Sequence, residues 1–218
     1  MPFSPRYNRR SVSIITPPTG QAVTLIDVKK YMVVDDNSDD AMITDMIDAA
    51  TEAVKQYLRV ALLTETLELR MDGFPYGSDE SLVGLGAGVH DMSVNYALGG
   101  WDYVDIPWAP IQSITSITTY DIGNSASVFD AASYELDGNT GRVFLNSGYT
   151  WPTSLRDRDA VHIRYVAGYG AGSIPLPIVH AIREHVSRMY EARSLCPMSD
   201  QCRALLAPYK RRDMLAWQ

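Results

Sequence analysis

The spacing of apolar residues changes twice along this chain, from a helical interval to a strand interval and back, and no single-class fold accommodates all three regimes. Ile43, Met46, Ile47, Ala50, Val54, Tyr57 and Leu58 recur at three and four residues, which puts them on one face of a helix. From Leu63 the interval becomes two: Leu67, Leu69 and Met71 alternate with Glu68, Arg70 and Asp72, the pattern of a strand with one polar side. Beyond Pro175 and Pro177 the helical interval returns in Ile178, Ile182, Val186, Met189 and Tyr190. The predicted fold class is α+β, with N- and C-terminal helices forming a small bundle that brackets an antiparallel β-rich insertion, and with extended terminal arms.

Local residue chemistry sets the boundaries. Thr24 and Asp27 have capping-box spacing ahead of a short helix over 25–32. Ser38 reads as the cap of the longer helix, which ends near Arg59, with Asp39 and Asp40 in its first turn, where the dipole favours negative charge. Further strands are predicted at 103–106, 111–120, 133–136, 142–145 and 161–166, separated by Gly, Asn and Asp turns. A fourth helix includes residues 204–206. Residues 73–100 carry seven glycines and few periodic apolar positions, so they receive no regular structure. Pro2, Pro5, Pro17, Pro18 and Gly20 favour an extended arm over a packed element. The expected organisation is an N-terminal arm (1–23), a helical domain (24–62 with 174–207), a β-rich domain (63–173) and a C-terminal tail (208–218).

Charge is segregated within a net of −7: residues 1–24 hold three Arg and no acid, 25–105 hold 16 acids against 5 bases, and 106–218 hold 10 acids against 11 bases. Such segregation sets the field of a surface and the sign of its partner, and a general duplex-binding protein would be basic instead. No apolar run approaches the ~18 residues of a membrane span. Residues 11–16 are too short and too polar for a signal-peptide core, so a cytoplasmic product is expected. Cys196 and Cys202 make no disulfide framework and read as free thiols.

Several constellations imitate chemistry without completing it. Asp35, Asn37 and Asp39 resemble the opening ligands of a calcium loop, but Asp40 stands where its glycine belongs and Met46 where its bidentate Glu belongs. Gly168, Gly170 and Gly172 lie between a strand and a helix, yet no second strand follows to close a dinucleotide-binding unit; they read as a flexible turn. His180 and His185 are rotated about 140° apart on a helix and cannot converge on a metal. No nucleophile elbow and no thiol-catalysis signature is present, so no catalytic residue, metal or cofactor is expected. Trp101, Tyr103, Trp108, Tyr149 and Trp151 flank the β region and form either loop anchors or a stacking platform.

Three stretches resemble the phage head-to-tail connector (adaptor) family: TLIDVKKYM at 24–32 with the helix that follows over 40–58; IPWAPIQSI at 106–114 with VHIRYVAGYG at 161–170 and IPLP at 174–177; and ALLAPYKRR at 204–212. The resemblance implies a structural virion protein of the neck, assembled in the host cytoplasm. It implies a homo-oligomeric ring, a dodecamer, that docks under the portal protein, extends the DNA channel and offers a platform to a stopper or tail protein. DNA then passes without sequence-specific binding, and Asp35, Asp36, Asp39 and Asp40 are expected to form a solvated acidic patch on the channel. Leu205, Leu206 and Tyr209 are expected to anchor on the portal, with Lys210, Arg211 and Arg212 orienting the encounter. The alternative is a β-rich module that holds a carbohydrate or receptor on Trp101 and Trp151.

Overall fold

The computed structural model describes residues 10–74, 103–170 and 172–211. The glycine-rich segment beyond Phe74, Trp101, Arg6, Arg9 and Arg212 lie outside these residues. The chain divides into two units: one of residues 1–15, 66–106 and 113–166, the other of residues 16–65, 107–112 and 167–218.

The second unit is helical. Helix α1 (Leu25–Met32) begins where the Thr24 hydroxyl accepts the Asp27 N–H, and it stops at Val33, whose φ of 58° is left-handed. Only half of the expected capping box forms, because the Asp27 carboxylate accepts the Thr24 hydroxyl at 2.8 Å and does not reach back to the backbone. Helix α2 (Asp40–Leu58) is capped from Asp39 without a side-chain bond. Ser38 is not its cap, since the Ser38 hydroxyl and N–H are both taken by Asp36. Arg59 ends α2 in the left-handed region. Helix α3 (Leu176–Ala192) starts on Pro175 with a second proline in its first turn, positions that have no helical N–H to lose. Helix α4 (Asp200–Leu206) is capped by Ser199, which accepts the Cys202 N–H and donates to Glu184 at 2.9 Å.

One core serves all four helices. Val28, Ile43, Ile47, Ala50, Val54 and Leu58 meet Ile178, Ala181, Ile182, Val186, Met189, Cys202 and Leu206, each nearly or wholly without solvent contact. Burial of one such aliphatic side chain stabilises by about 1.5–3 kcal/mol relative to exposure, so packing rather than intrinsic propensity holds these short helices.

The first unit is β-rich. Strands β1 (Arg10–Thr16), β2 (Glu65–Met71), β4 (Ile111–Tyr120), β5 (Ala126–Val128) and β8 (Val161–Ala167) form one sheet in the order β1-β2-β8-β4-β5. Strands β3 (Tyr103–Asp105), β6 (Tyr134–Asp137) and β7 (Arg142–Leu145) form a second, antiparallel sheet in the order β3-β7-β6. Leu67, Leu69, Met71, Ile117, Ile163 and Tyr165 supply a buried layer. The N-terminal arm is therefore not wholly unpacked, because residues 10–16 hydrogen-bond to β2 as an edge strand. Strand β5 was not expected, being three residues long with no apolar alternation.

Candidate docking surfaces and the polar sheet face

The predicted acidic patch is mostly committed within the helical unit. Lys29 Nζ reaches Asp40 Oδ1 and Asn37 Oδ1, both at 2.6 Å, and Asp39 accepts the Tyr190 hydroxyl at 2.8 Å. Asp36 accepts the Ser38 hydroxyl at 2.7 Å, a bond that, with the Ser38 N–H, holds its carboxyl below the usual range. The oxygens of Asn37 and Asp39 thus point at a lysine and a tyrosine. Asp35 and Asp36 are exposed, whereas Asp39 and Asp40 are half-buried, so a uniformly solvated patch of four is corrected to two exposed acids beside two structural ones.

The C-terminal segment turns back on its own unit. Leu206 is fully buried in the helical core, which removes it as an anchor for a partner. Pro208 does not release the chain: it sits in a 3-10 turn (Ala207–Tyr209) that continues α4. Tyr209 packs against the core, Lys210 lies 4.5 Å over the Tyr57 ring, and the Arg211 N–H donates to the Leu58 carbonyl at 3.0 Å. Leu205 remains 42% exposed.

The remaining expected residues separate by environment. On α3, His180 is exposed while His185 is buried, and burial depresses the His185 imidazole. Cys202 is buried and Cys196 half-buried; burial, reinforced by Glu184, raises the Cys202 thiol to about 11. Trp151 is only 8% exposed and stacks on Phe74 at 4.3 Å, with Phe129 at 5.6 Å, so its ring faces are occupied and offer no platform. Trp108 lies under Lys55 at 5.5 Å. The glycine turn is tightly packed at its first residue: Gly168 has φ +113°, and a Cβ there would stand 2.1 Å from the Leu63 carbonyl oxygen. Gln112 bridges this approach, donating to the Gly168 carbonyl at 2.9 Å and to Thr64 at 2.8 Å.

A polar cluster on β2 and β8 escaped the sequence reading. Glu68, expected on a solvated strand face, is 4% exposed. Its carboxylate accepts Arg70 Nε at 2.9 Å and Arg164 at 2.8 Å, with His162 Nδ1 at 3.7 Å. Burial pushes the Glu68 carboxyl upward, but the bonds and charges of Arg164 and Arg70 outweigh it and leave the group below its ordinary value. With Ser116, Thr118 and Tyr120 these side chains line a shallow depression on the sheet. The arginines there already have a carboxylate, so the arrangement cross-links two strands.

Residues 22–83 match the model of the phage gp6-like head-tail connector protein family. The match includes the first of the three stretches on which the connector resemblance rests. Among solved structures, the chain is similar to one from the neck of an empty GTA particle computed with C6 symmetry, at 18% identity and a TM-score of 0.70, covering 95% of this chain and 98% of that one. It is likewise similar to one from the neck of the native GTA particle computed with C12 symmetry, at 18% identity and TM-score 0.68, with 95% and 98% covered. A third, from the virion of the native gene transfer agent particle, aligns at 17% identity and TM-score 0.69, over 94% of this chain and 98% of that one. The α+β architecture is thus that of these chains over nearly its whole length. No curated protein matches the sequence.

Proposed function

We propose that this chain is a structural, non-catalytic subunit of the neck of a phage-like particle, sited in the virion between head and tail. The observation that carries the reading is the coincidence of a head-tail connector match at residues 22–83 with a fold common, over 95% of the chain, to neck chains. The subunits form a closed ring, and the C12 symmetry of one neck with this fold favours twelve copies. The ring lies below the portal, extends the DNA channel and receives a stopper or tail protein. Leu205, Tyr209, Lys210, Arg211 and Arg212 contribute to portal docking, with Leu205 as the exposed apolar contact. Asp35 and Asp36 supply the exposed negative charge that keeps passing DNA from adhering, since phosphate attraction to cations is long-range.

Mass photometry of the purified full-length chain, with and without portal-bearing heads, tests this reading. Rings that bind the heads are expected. A chain that stays monomeric at all concentrations and ignores the heads overturns it. Of the two tryptophans in the carbohydrate-binding alternative, Trp151 is closed off by Phe74, and Trp101 lies outside the described residues.

A further inference from the structure

Among the described residues, both outer strands of the five-stranded sheet, β1 and β5, pair with a neighbouring strand on one side only. Edges of this kind invite strand addition, and native proteins blunt them with Lys or Pro. Strand β1 has neither, and it displays Val12, Ile14 and Ile15 at 36%, 56% and 42% exposure. At the other edge Val128 is 72% exposed, and Ile122 in the adjoining turn is 80% exposed.

The open side of β5 can be assigned atom by atom. The Phe129 N–H donates to Ile117 and the Asp121 N–H to Ser125, and the register pairs Thr118 with Val128 and Tyr120 with Ala126. Antiparallel pairing alternates bonded and non-bonded pairs, so the N–H and C=O of Ala126 and Val128 point away from β4. The two edges also differ in sign. Arg10 opens β1, whereas Asp121 and Asp130 flank β5 in sequence.

We propose that the β1 edge of one subunit adds to the β5 edge of a second copy of this chain, so that the sheet continues from subunit to subunit around the assembly. The open backbone groups supply the bonds, Val12, Ile14 and Val128 the apolar contact, and the opposed charges the polarity. Contact between two different edges is heterologous, the type that propagates head to tail and closes into a ring when the rotation allows. This inference rests on the ring reading above.

Cross-linking in a Cys196→Ser background tests it. Within one subunit the two edges are four strand spacings apart, about 19 Å, whereas a disulfide requires Cα atoms within about 7 Å. Val128→Cys is combined in turn with Ser13→Cys and Ile14→Cys, neighbours on opposite faces of β1. Oxidation is expected to give a ladder extending beyond the dimer for one combination, and none for the single variants. Val128→Pro deletes an outward N–H while leaving the β4 pairing intact, so it should keep the wild-type melting curve yet need at least tenfold more protein for half-assembly; Val128→Thr should assemble normally. Wild-type rings with no ladder, or rings of Val128→Pro at wild-type concentration, overturn edge addition and leave the neck reading standing. A disulfide dimer from Ser13→Cys alone also overturns it, because β1 then meets β1. Wild-type protein that forms no ring removes both.

Discussion

Glu68 is the residue whose environment departs furthest from what its neighbours in sequence suggest. Strand alternation assigns it to water together with Arg70, yet its carboxylate is enclosed because Arg164, 96 positions away, closes over it. No local pattern encodes that partner. Glu68→Gln should lower unfolding stability by about 2 kcal/mol, the scale of hydrogen bonds to a charged group when the arginines are half-exposed and can rehydrate. Its folded-state carboxyl lies below the ordinary value of 4.5, so the contribution is fully present above 4.5 and is lost as pH falls through the depressed value. Urea titrations from pH 7 to pH 3 should therefore show the wild type converging on Glu68→Gln in acid; a constant difference across that range would discard the assignment. Asp39 and Asp40 teach the same lesson in reverse. Their position at a helix start was legible, but Tyr190 and Lys29 as partners were not, because those contacts depend on how α1 and α3 pack.

At the scale of elements, the strong periodicities carried through. Helix α2 and strands β4 and β7 occupy the spans their patterns predict, since each contains enough alternation to fix both type and face. Short pieces did not: β5 has three residues, and β1 sits among prolines that argue for a loop. The turn after β8 shows why composition misleads. Three glycines read as flexibility, yet Gly168 is fixed by its close approach to the Leu63 carbonyl, by donating its N–H to the Pro110 carbonyl and by accepting the Gln112 amide at its own carbonyl. Gly168→Ala must add a Cβ at 2.1 Å from that oxygen with φ +113°, and a loss of roughly 2–4 kcal/mol is expected from strain and overpacking together. Gly172→Ala, with open space around its Cβ, should lose far less. Equal melting temperatures for the two variants would mean that the Leu63 approach relaxes without cost.

For the whole molecule, the C-terminal segment contributes to stability and, in the proposed role, to docking. Truncation after Leu206 removes the Tyr209 contact, the Lys210–Tyr57 contact and the Arg211 bond to Leu58, so it should lower stability by roughly 2 kcal/mol. Calorimetry on the truncated chain checks this, and an unchanged melting temperature would restore the picture of a tail that leaves its subunit. Leu205→Ser spares the core and should weaken binding to portal-bearing heads at least fivefold without moving the melting temperature. The basic, apolar character of this segment was visible in residues alone; its return to Leu58 was not, because a 3-10 turn through Pro208 depends on space beside α2.

The helical unit is discontinuous, drawn from residues 16–65, 107–112 and 167–218. During synthesis α1 and α2 leave the ribosome long before α3, the helix against which Ile43, Ile47 and Val54 are buried, has been made. The nascent chain therefore holds its first helices without a core until Ile178, Ile182 and Val186 emerge, and a chain released early can complete no such core. Only translation products that extend through α4 have a finished helical core, which makes synthesis of the last two helices a checkpoint for assembly.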